Sequence, residues 1–175
     1  MEKGIIIKPA TLEDAVSIAL LGRITFTETF GNLFSDKQDL LEYLDRTFAV
    51  DKIKKGIGKS NNAFFVAFIE GLPVGYGKLK LNSENEFLED TNICQLQKIY
   101  VLSDFLSLGI GKKLHKTLIL AALEKGYEAI WLSALDSNQR AIDFYKNYGY
   151  LTMGKHGYSI GKNDFELYVM YKQLK

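Results

Sequence analysis

Two glycines at the start of a predicted helix form the first candidate for chemistry in this sequence. Gly109 and Gly111 follow a predicted strand and a short loop, and from Ile110 onward apolar residues recur at spacings of three and four. Because glycine lacks a Cβ atom, the backbone N–H groups here can approach an anion closely, and a helix N-terminus adds unpaired donors and a partial positive charge. The spacing therefore predicts a binding site for phosphate groups.

Three lysines in the same helix favour a bound anion. Lys112, Lys113 and Lys116 lie in its first turns, where the helix dipole disfavours positive charge. A bound anion would offset this cost. The alternative is a solvated lysine face, because the cost for each exposed residue is small.

Two familiar glycine patterns do not fit this loop. A P-loop has a glycine where this chain has Leu106, and a serine or threonine where it has Lys113. The dinucleotide-binding pattern has a third glycine where Leu114 stands. The predicted phosphate site therefore belongs to another kind of loop.

A second block, from Asn138 to Tyr150, completes a recognisable pair. Together the blocks resemble the GCN5-related N-acetyltransferase (GNAT) family, in which Gly-x-Gly opens a helix after a strand and a gap. The family's second block is an asparagine after a strand, an alanine three residues on, Phe-Tyr, and then a glycine followed by an aromatic residue. The residues that meet it in register are Asn138, Ala141, Phe144, Tyr145, Gly149 and Tyr150. Segments 25–30 and 41–44 are most similar to the amino-terminal helices of PaiA-type polyamine (spermidine/spermine) N-acetyltransferases.

The resemblance implies an α/β (α+β) fold with a mixed central sheet of about seven strands, flanked by helices, in a single domain of residues 1–175. Apolar periodicity and turn residues agree with it. Strands are predicted at 5–8, 63–69, 74–81, 95–101, 129–135, 151–160 and 165–171, and helices at 11–30, 36–48, 51–59, 110–123 and 137–147. Residues 103–108 show no helical periodicity, and the polar, acidic stretch 82–92 predicts a loop.

Acetyl-CoA is the cosubstrate that the resemblance implies, with no metal. In the family, the strand before the phosphate loop splays away from its neighbour, so the backbone of Ile99, Tyr100 and Val101 is expected to pair with the pantetheine arm. The pyrophosphate is expected on the loop and helix start, with Asn138 and Ala141 near the pantetheine. The loop and helix residues concerned are Ser107, Leu108, Gly109, Ile110, Gly111 and Lys112.

Tyr145 matches the tyrosine that the family uses as its catalytic acid. A phenol with an ordinary pKa of about 10 is protonated at neutral pH and can donate to the departing thiolate. The alternative is a packing role beside Phe144 and Tyr148. We favour the catalytic role because Tyr145 occupies the family's position.

Two positions depart from the family pattern. Leu106 replaces a glutamine or arginine, which removes one side-chain contact to the phosphates and leaves the backbone donors. Gln97 stands where polyamine acetyltransferases carry a glutamate base, and an amide cannot accept a proton usefully. Gln95, on the same strand face by alternation, has the same defect. His115 is expected to be exposed and His156 has no visible partner, so the sequence identifies no general base.

Composition excludes several classes of function. Lys plus Arg (22) minus Asp plus Glu (21) gives a net charge of +1, which indicates no broad surface for nucleic acid. The single cysteine, Cys94, is expected to be a buried thiol, and no paired Cys or His spacing indicates a metal site. No apolar run is long enough for a membrane span, so a soluble cytoplasmic protein is expected.

The sequence thus predicts an acetyl-CoA-dependent N-acetyltransferase acting on a small primary amine, with a polyamine as the leading candidate. Glu28 and Gln97 are the candidate substrate-binding residues. Asp39, Glu42 and the acidic loop could add charge for a polycation, or they can equally be solvated surfaces. The alternatives are a protein N-terminal or lysine acetyltransferase and a non-catalytic coenzyme A-binding regulatory module. Monomer and homodimer both stay open.

Overall fold

The computed structural model describes residues 4–175, and within this range the chain forms one sheet with helices on both faces. The strands are β1 (Ile5–Pro9), β2 (Asn62–Ile69), β3 (Leu72–Lys80), β4 (Ile93–Val101), β5 (Ala129–Leu135), β6 (Leu151–Ile160) and β7 (Asn163–Gln173). The α-helices are α1 (Ala15–Phe30), α2 (Lys37–Thr47), α3 (Val50–Ile57), α4 (Ile110–Glu124) and α5 (Gln139–Asn147). Short 3-10 segments occupy Leu12–Asp14, Gly31–Leu33 and Ser103–Leu108.

The strand order is β1-β2-β3-β4-β5-β7-β6, and every neighbouring pair is antiparallel except β4 with β5. This mixed, seven-stranded arrangement confirms the predicted fold class. Element bounds differ from the predicted ones by only a few residues. Residues 103–108 were expected to lack helical structure and instead form 3-10 turns, whose three-residue repeat a search for the α-helical period does not detect.

The central strands β4 and β5 pair over only three residues each. Ile93–Gln95 lie opposite Ala129–Trp131, after which the two strands diverge. Beyond that point β4 remains paired with β3 and β5 with β7, so the facing edges of β4 and β5 have no partner strand within residues 4–175. The result is a wedge that opens toward the carboxyl ends of both strands.

A β-bulge in β4 lies beside this wedge. Lys78 of β3 is opposite Lys98, but Leu79 is opposite Leu96, so Gln97 is the extra residue. Strict alternation along β4 therefore does not hold. Lys98 follows the bulge and approaches the rings of Phe48 and Tyr100, on the face covered by α1 and α2.

The helices bury one apolar face each against the sheet. On one side, Leu114 and Leu118 of α4 are fully buried, as the spacing of apolar residues predicts. On the other side, Ile18 of α1 packs with Val66 and Tyr76. The two helix layers hold the sheet between them and fix the position of the wedge.

Candidate active site

A cavity of about 370 Å³ occupies the wedge between β4 and β5. Its floor comes from Gln95–Tyr100 of β4 and Leu132–Leu135 of β5. Asn138 and Ala141 at the start of α5 and Tyr145 in its last turn contribute a wall. Because β4 and β5 are parallel, their carboxyl ends meet at one edge of the sheet, where α4 and α5 then begin. The wedge therefore lies beside two helix N-termini.

The start of α4 has the geometry of an anion site. Gly109 is the N-cap residue, with φ 77° and ψ 13°, a left-handed conformation that glycine adopts without strain. The Lys113 N–H donates a hydrogen bond to the Gly109 carbonyl oxygen (3.1 Å), which is the first i to i−4 hydrogen bond of the helix. The N–H groups of Ile110, Gly111 and Lys112 precede it and are free of intrahelical acceptors.

Space in front of these donors is open. A Cβ atom built at Gly109 or Gly111 meets nothing within 4 Å. Lys112, Lys113 and Lys116 are exposed, and the ion pairs found among residues 4–175 involve none of them. Donors, space and uncompensated cations thus coincide, as the sequence predicts for a phosphate site.

The loop before α4 is held from two sides. The Glu28 carboxylate accepts hydrogen bonds from the Ser103 N–H (3.1 Å) and hydroxyl (2.8 Å), and Phe105 packs into the core cluster around Ile110. Leu106 points away from that cluster and is 37% exposed. This exposure shows that Leu106 is not packed in the core, so its position can carry a polar side chain.

We expect Leu106→Gln to bind coenzyme A more tightly with an unchanged melting temperature. An amide at this exposed position can donate to a phosphate, a gain of about 0.5–1.5 kcal/mol, or roughly two- to tenfold in affinity. Calorimetry and thermal unfolding measure the two quantities. Leu120→Gln, at an exposed position of α4 outside the loop, is the matched control. A lowered melting temperature without a gain in affinity contradicts this assignment.

Asn138 and Ala141 form the cap of α5. The Asn138 Oδ1 atom accepts the Ala141 N–H at 3.3 Å, and Asn138 is the N-cap residue of the helix. The asparagine of the family pattern therefore has a structural role as a helix cap. Its acceptor meets the N–H three residues later, which is the spacing Asn-x-x-Ala. Both residues also line the cavity.

Tyr145 is half-buried at the cavity wall, as its proposed role requires. Its ring packs against Phe144 and Tyr150, with centroids 5.2 and 5.4 Å away. Burial, and secondarily the neighbouring Tyr100, raises the pKa of the Tyr145 phenol above its ordinary value. The hydroxyl is therefore protonated at neutral pH and able to donate.

His115 is buried, so the expectation of an exposed histidine is wrong. Tyr150 and the aromatic residues of α5 cover it, and its Nε2 atom lies 3.1 Å from the Tyr150 hydroxyl. Burial, and secondarily Lys172, lowers the His115 pKa to about 4. This neutral imidazole packs behind the cavity wall and is not among the cavity-lining residues.

His156 has a partner that the sequence did not reveal. Its Nε2 atom lies 3.1 Å from the Ser133 hydroxyl, and its Nδ1 atom lies 3.3 Å from the Gly157 carbonyl. Both contacts are hydrogen bonds if Nδ1 carries the proton and Nε2 accepts from serine. Ser133 and His156 both line the cavity. The pair forms because β7 lies between β5 and β6 and sets their register, which local sequence does not encode.

Lys98 is a second functional candidate that sequence reasoning missed. It is half-buried in the cavity lining, with its ammonium 5.0 Å from the ring centroids of both Phe48 and Tyr100. Burial lowers the pKa of Lys98 to about 8. The signal in the sequence was a lysine in an otherwise uncharged strand, because the bulge and the neighbouring Phe48 ring come from the tertiary structure.

The acidic residues considered as substrate contacts lie elsewhere. Glu28 bonds to Ser103, Asp39 accepts the Lys162 N–H (2.8 Å), and Glu42 accepts from Gln38 (3.0 Å). None of them lines the cavity, whereas Gln97 does. Of the two predicted substrate-binding residues, the structure therefore brings only Gln97 to the wedge.

The seven-stranded sheet, the splayed central strands and the glycine-opened helix define an acetyltransferase fold. The sequence profile of the Acetyltransferase (GNAT) family matches residues 26–150, and this chain belongs to that family. The protein is thus an N-acetyltransferase, as predicted, of a family whose cosubstrate is acetyl-CoA.

Individual relatives agree with this placement. An uncharacterized N-acetyltransferase of Lactobacillus delbrueckii subsp. lactis is 26% identical over 175 residues, which is 98% of each chain. The thialysine N-epsilon-acetyltransferase of Sus scrofa is 30% identical over 138 residues, covering 68% of this chain and 76% of that one. The crystal structure of the PaiA N-acetyltransferase of Thermoplasma acidophilum, in complex with coenzyme A, superposes with a TM-score of 0.78 at 20% identity, over 97% of this chain and 99% of that one. This last likeness shows the fold.

Residues 4–175 show no features of a membrane-spanning helix or of a clustered metal site. No helix there combines the length and hydropathy that crossing a membrane requires. No group of three or more His, Cys, Asp or Glu side chains in the same range lies close enough to hold a metal ion. Cys94 is fully buried, as expected, and burial raises the pKa of its thiol to about 12.

Proposed function

We propose that residues 1–175 form one N-acetyltransferase domain that moves the acetyl group of acetyl-CoA directly to a small primary amine inside the wedge. The observation that carries this proposal is the cavity, which brings Tyr145, Asn138 and the free edge of β4 together beside the start of α4. Acetyl-CoA supplies the acetyl group as a thioester.

The chain's own groups fit that cosubstrate. The N–H groups of Ile110, Gly111 and Lys112 would hold the pyrophosphate, with Ser107 and Leu108 in the preceding turn. Backbone groups of Ile99, Tyr100 and Val101 that face away from β3 would pair with the pantetheine arm as an added strand. Tyr145 would then donate its phenol proton to the departing sulfur.

A small acceptor is favoured over a protein because two segments that line or flank the cavity are bridged to each other. Phe34, which follows α1, contacts Phe165 of β7, with ring centroids 5.5 Å apart. The Ser35 N–H donates to Asn163 Oδ1 at 3.0 Å, which ties the same two segments together. A lysine side chain of a protein would have to pass this bridge.

Among small amines, the first expectation was a polyamine. The PaiA likeness that supports it is one of fold, and no carboxylate lines the cavity within residues 4–175. The more closely related porcine enzyme is named for thialysine, an amino acid with a side-chain primary amine. An amine borne by an amino acid is therefore our second candidate beside the polyamine.

The proton acceptor for the amine is, in this proposal, the Ser133–His156 pair. An amine with a pKa of about 10 must lose a proton before it attacks. The amine proton passes to Ser133 Oγ while the serine proton passes to His156 Nε2, which lies 3.1 Å from that oxygen. The nitrogen ends as a neutral amine, the serine is again a neutral hydroxyl, and the imidazole becomes an imidazolium that carries the positive charge the ammonium has lost. In this proposal, the pair takes the role of the glutamate base whose position Gln97 occupies in this chain.

We expect His156→Gln to lower kcat/KM by about 100-fold near neutral pH, because general-base catalysis is lost. The deficit should shrink as the pH approaches about 10, where the amine deprotonates without help. Ser133→Ala should lose activity as well, and the double variant should lose little more than His156→Gln, because the two groups act in one relay. Amine-dependent thiol release across pH measures these effects.

A pH-independent loss in His156→Gln would point to a packing role and contradict the relay. Lys155→Gln, next to His156 on the exposed face of β6, is the matched control and should keep the wild-type pH profile. Acetyl-CoA turnover itself, tested with a panel of small amines and an unfolded lysine peptide, tests the proposed function as a whole.

A further inference from the structure

The charge of the cavity wall carries an inference about the acceptor that rests on the proposed function. Among the cavity-lining residues within 4–175, Lys98 is the one lysine or arginine, and aspartate and glutamate are absent. The remaining polar groups are amides, hydroxyls and His156. A polycation would therefore enter a cavity whose wall carries positive charge and offers no carboxylate as a counter-ion.

Lys98 itself lacks an anionic partner. No ion pair or side-chain hydrogen bond of its ammonium is found within the described part of the chain, and the ring faces of Phe48 and Tyr100 are its nearest polarisable contacts. A half-buried cation that is only partly hydrated gains much from one well-placed anion. The folded protein leaves that anion to be supplied from outside.

A second lysine adds to the positive potential. Lys78 lies directly opposite Lys98 across the β3–β4 ladder, with its ammonium 5.2 Å from the Phe64 ring. Burial, and next the charge of Lys98, lowers the pKa of Lys78 to about 8. Two neighbouring lysines on one face would be costly without an anion nearby.

Carboxylates at the rim do not provide it, because they are engaged by other groups. Asp136 lies 2.9 Å and Glu166 lies 3.8 Å from the Lys155 ammonium. Asp36 pairs with the Lys162 side chain at 3.1 Å. These three carboxylates, which follow β5, lie on β7 and cap α2, are thus already paired with two surface lysines.

We propose that the acceptor is a primary amine that also carries a small anionic group, a carboxylate in the simplest case, and that Lys98 binds this group. Lys98 is then a specificity-determining residue. It lies on β4, whereas Tyr145 and the Ser133–His156 pair come from α5, β5 and β6, so the amine and the anion would contact different walls of the cavity. This acceptor has opposite charges at its two ends, unlike a polyamine.

Three amines of equal length that differ only at the far end test the proposal. ε-Aminocaproate ends in a carboxylate, hexylamine in a methyl group and hexamethylenediamine in an ammonium; shorter homologues of each cover the depth of the cavity. With wild-type protein, kcat/KM should be highest for the carboxylate of each length and lowest for the diamine. A diamine or alkylamine that is preferred overturns the inference.

Substitution of Lys98 assigns the preference to this residue. Lys98→Met should lower the ratio of kcat/KM for aminocaproate over hexylamine by about tenfold or more, the factor that 1.4 kcal/mol of charge-assisted hydrogen bonding represents. Lys98→Arg keeps the charge and should keep the preference. Lys80→Met, at an exposed lysine of β3, should leave the ratio unchanged.

The two proposals fail in different ways. If no amine is acetylated while calorimetry shows coenzyme A bound, the proposed transfer reaction is contradicted, and the acceptor inference with it. If amines are acetylated but the ratio is the same in Lys98→Met as in wild type, only the role of Lys98 is overturned. Should Lys98→Met fail to fold, the wild-type order of the three amines still decides the acceptor class.

Discussion

Tyr145→Phe is expected to lower kcat by about 100-fold or more, because the variant keeps the aromatic ring and loses the only proton that the phenol can donate to the leaving sulfur. The affinity for coenzyme A should change little, since the predicted contacts with the cosubstrate come from β4, α4 and the start of α5. Stopped assays of thiol release and calorimetry measure the two quantities.

Tyr148→Phe, at the C-cap of the same helix, provides a matched control. Its ring lies 4.6 Å from that of His115, and it does not line the cavity. The loss of this hydroxyl should leave kcat within about twofold of wild type. Full activity in Tyr145→Phe would reduce Tyr145 to a packing residue and would contradict its role as the acid.

Gly111→Val is expected to weaken coenzyme A binding by about 100-fold or more, while the free protein stays folded. A Cβ atom at this position meets nothing within 4 Å outside its own helix turn, so we expect the new bulk to extend into the open space in front of the α4 donors. A branched side chain there would separate the pyrophosphate from the N–H groups that bind it. Calorimetry with coenzyme A measures the effect.

Gly111→Ala separates binding from stability. Alanine in place of a helical glycine stabilises by up to about 1 kcal/mol, so the melting temperature should rise while the affinity for coenzyme A falls. Glu124→Val, at an exposed position in the last turn of the same helix, is the control for an added β-branched side chain and should bind normally. Unchanged affinity in a folded Gly111→Val would show that the phosphates bind elsewhere.

The fold was predictable because its strongest signals are local. The buried face of α4 has Leu114 and Leu118 at helical spacing, and the glycines mark its start in the loop. The cap between Asn138 and Ala141 likewise joins residues close in sequence. Such short-range patterns place helices and the cofactor loop without knowledge of the tertiary structure.

The acceptor side of the site was not predictable for the opposite reason. Ser133 and His156 are 23 residues apart and meet only through the order of three strands. The bulge at Gln97 changes which residues of β4 face the cavity, and a period of two cannot anticipate it. His115 fits a solvated helix face by sequence, yet Tyr150 from a distant element buries it.

Electrostatics adds a further level that sequence spacing cannot supply. Glu28 was a reasonable candidate for binding a cationic substrate, but its carboxylate is occupied by Ser103. By residue type alone, Lys98 is indistinguishable from the other 21 of the chain's 22 lysines and arginines. Its position in the cavity nevertheless gives it more influence on the acceptor than Glu28 has. The sign of the charge inside the cavity, rather than on the surface, determines which amine can enter.

The most direct test of the account is the release of coenzyme A thiol from acetyl-CoA in the presence of ε-aminocaproate, with the amine product identified by mass spectrometry. The account predicts that thiol and N-acetylated amine form in equal amounts in wild-type protein and that Tyr145→Phe forms both far more slowly. Thiol release that is independent of every amine supplied, or none at all with coenzyme A bound, would contradict it.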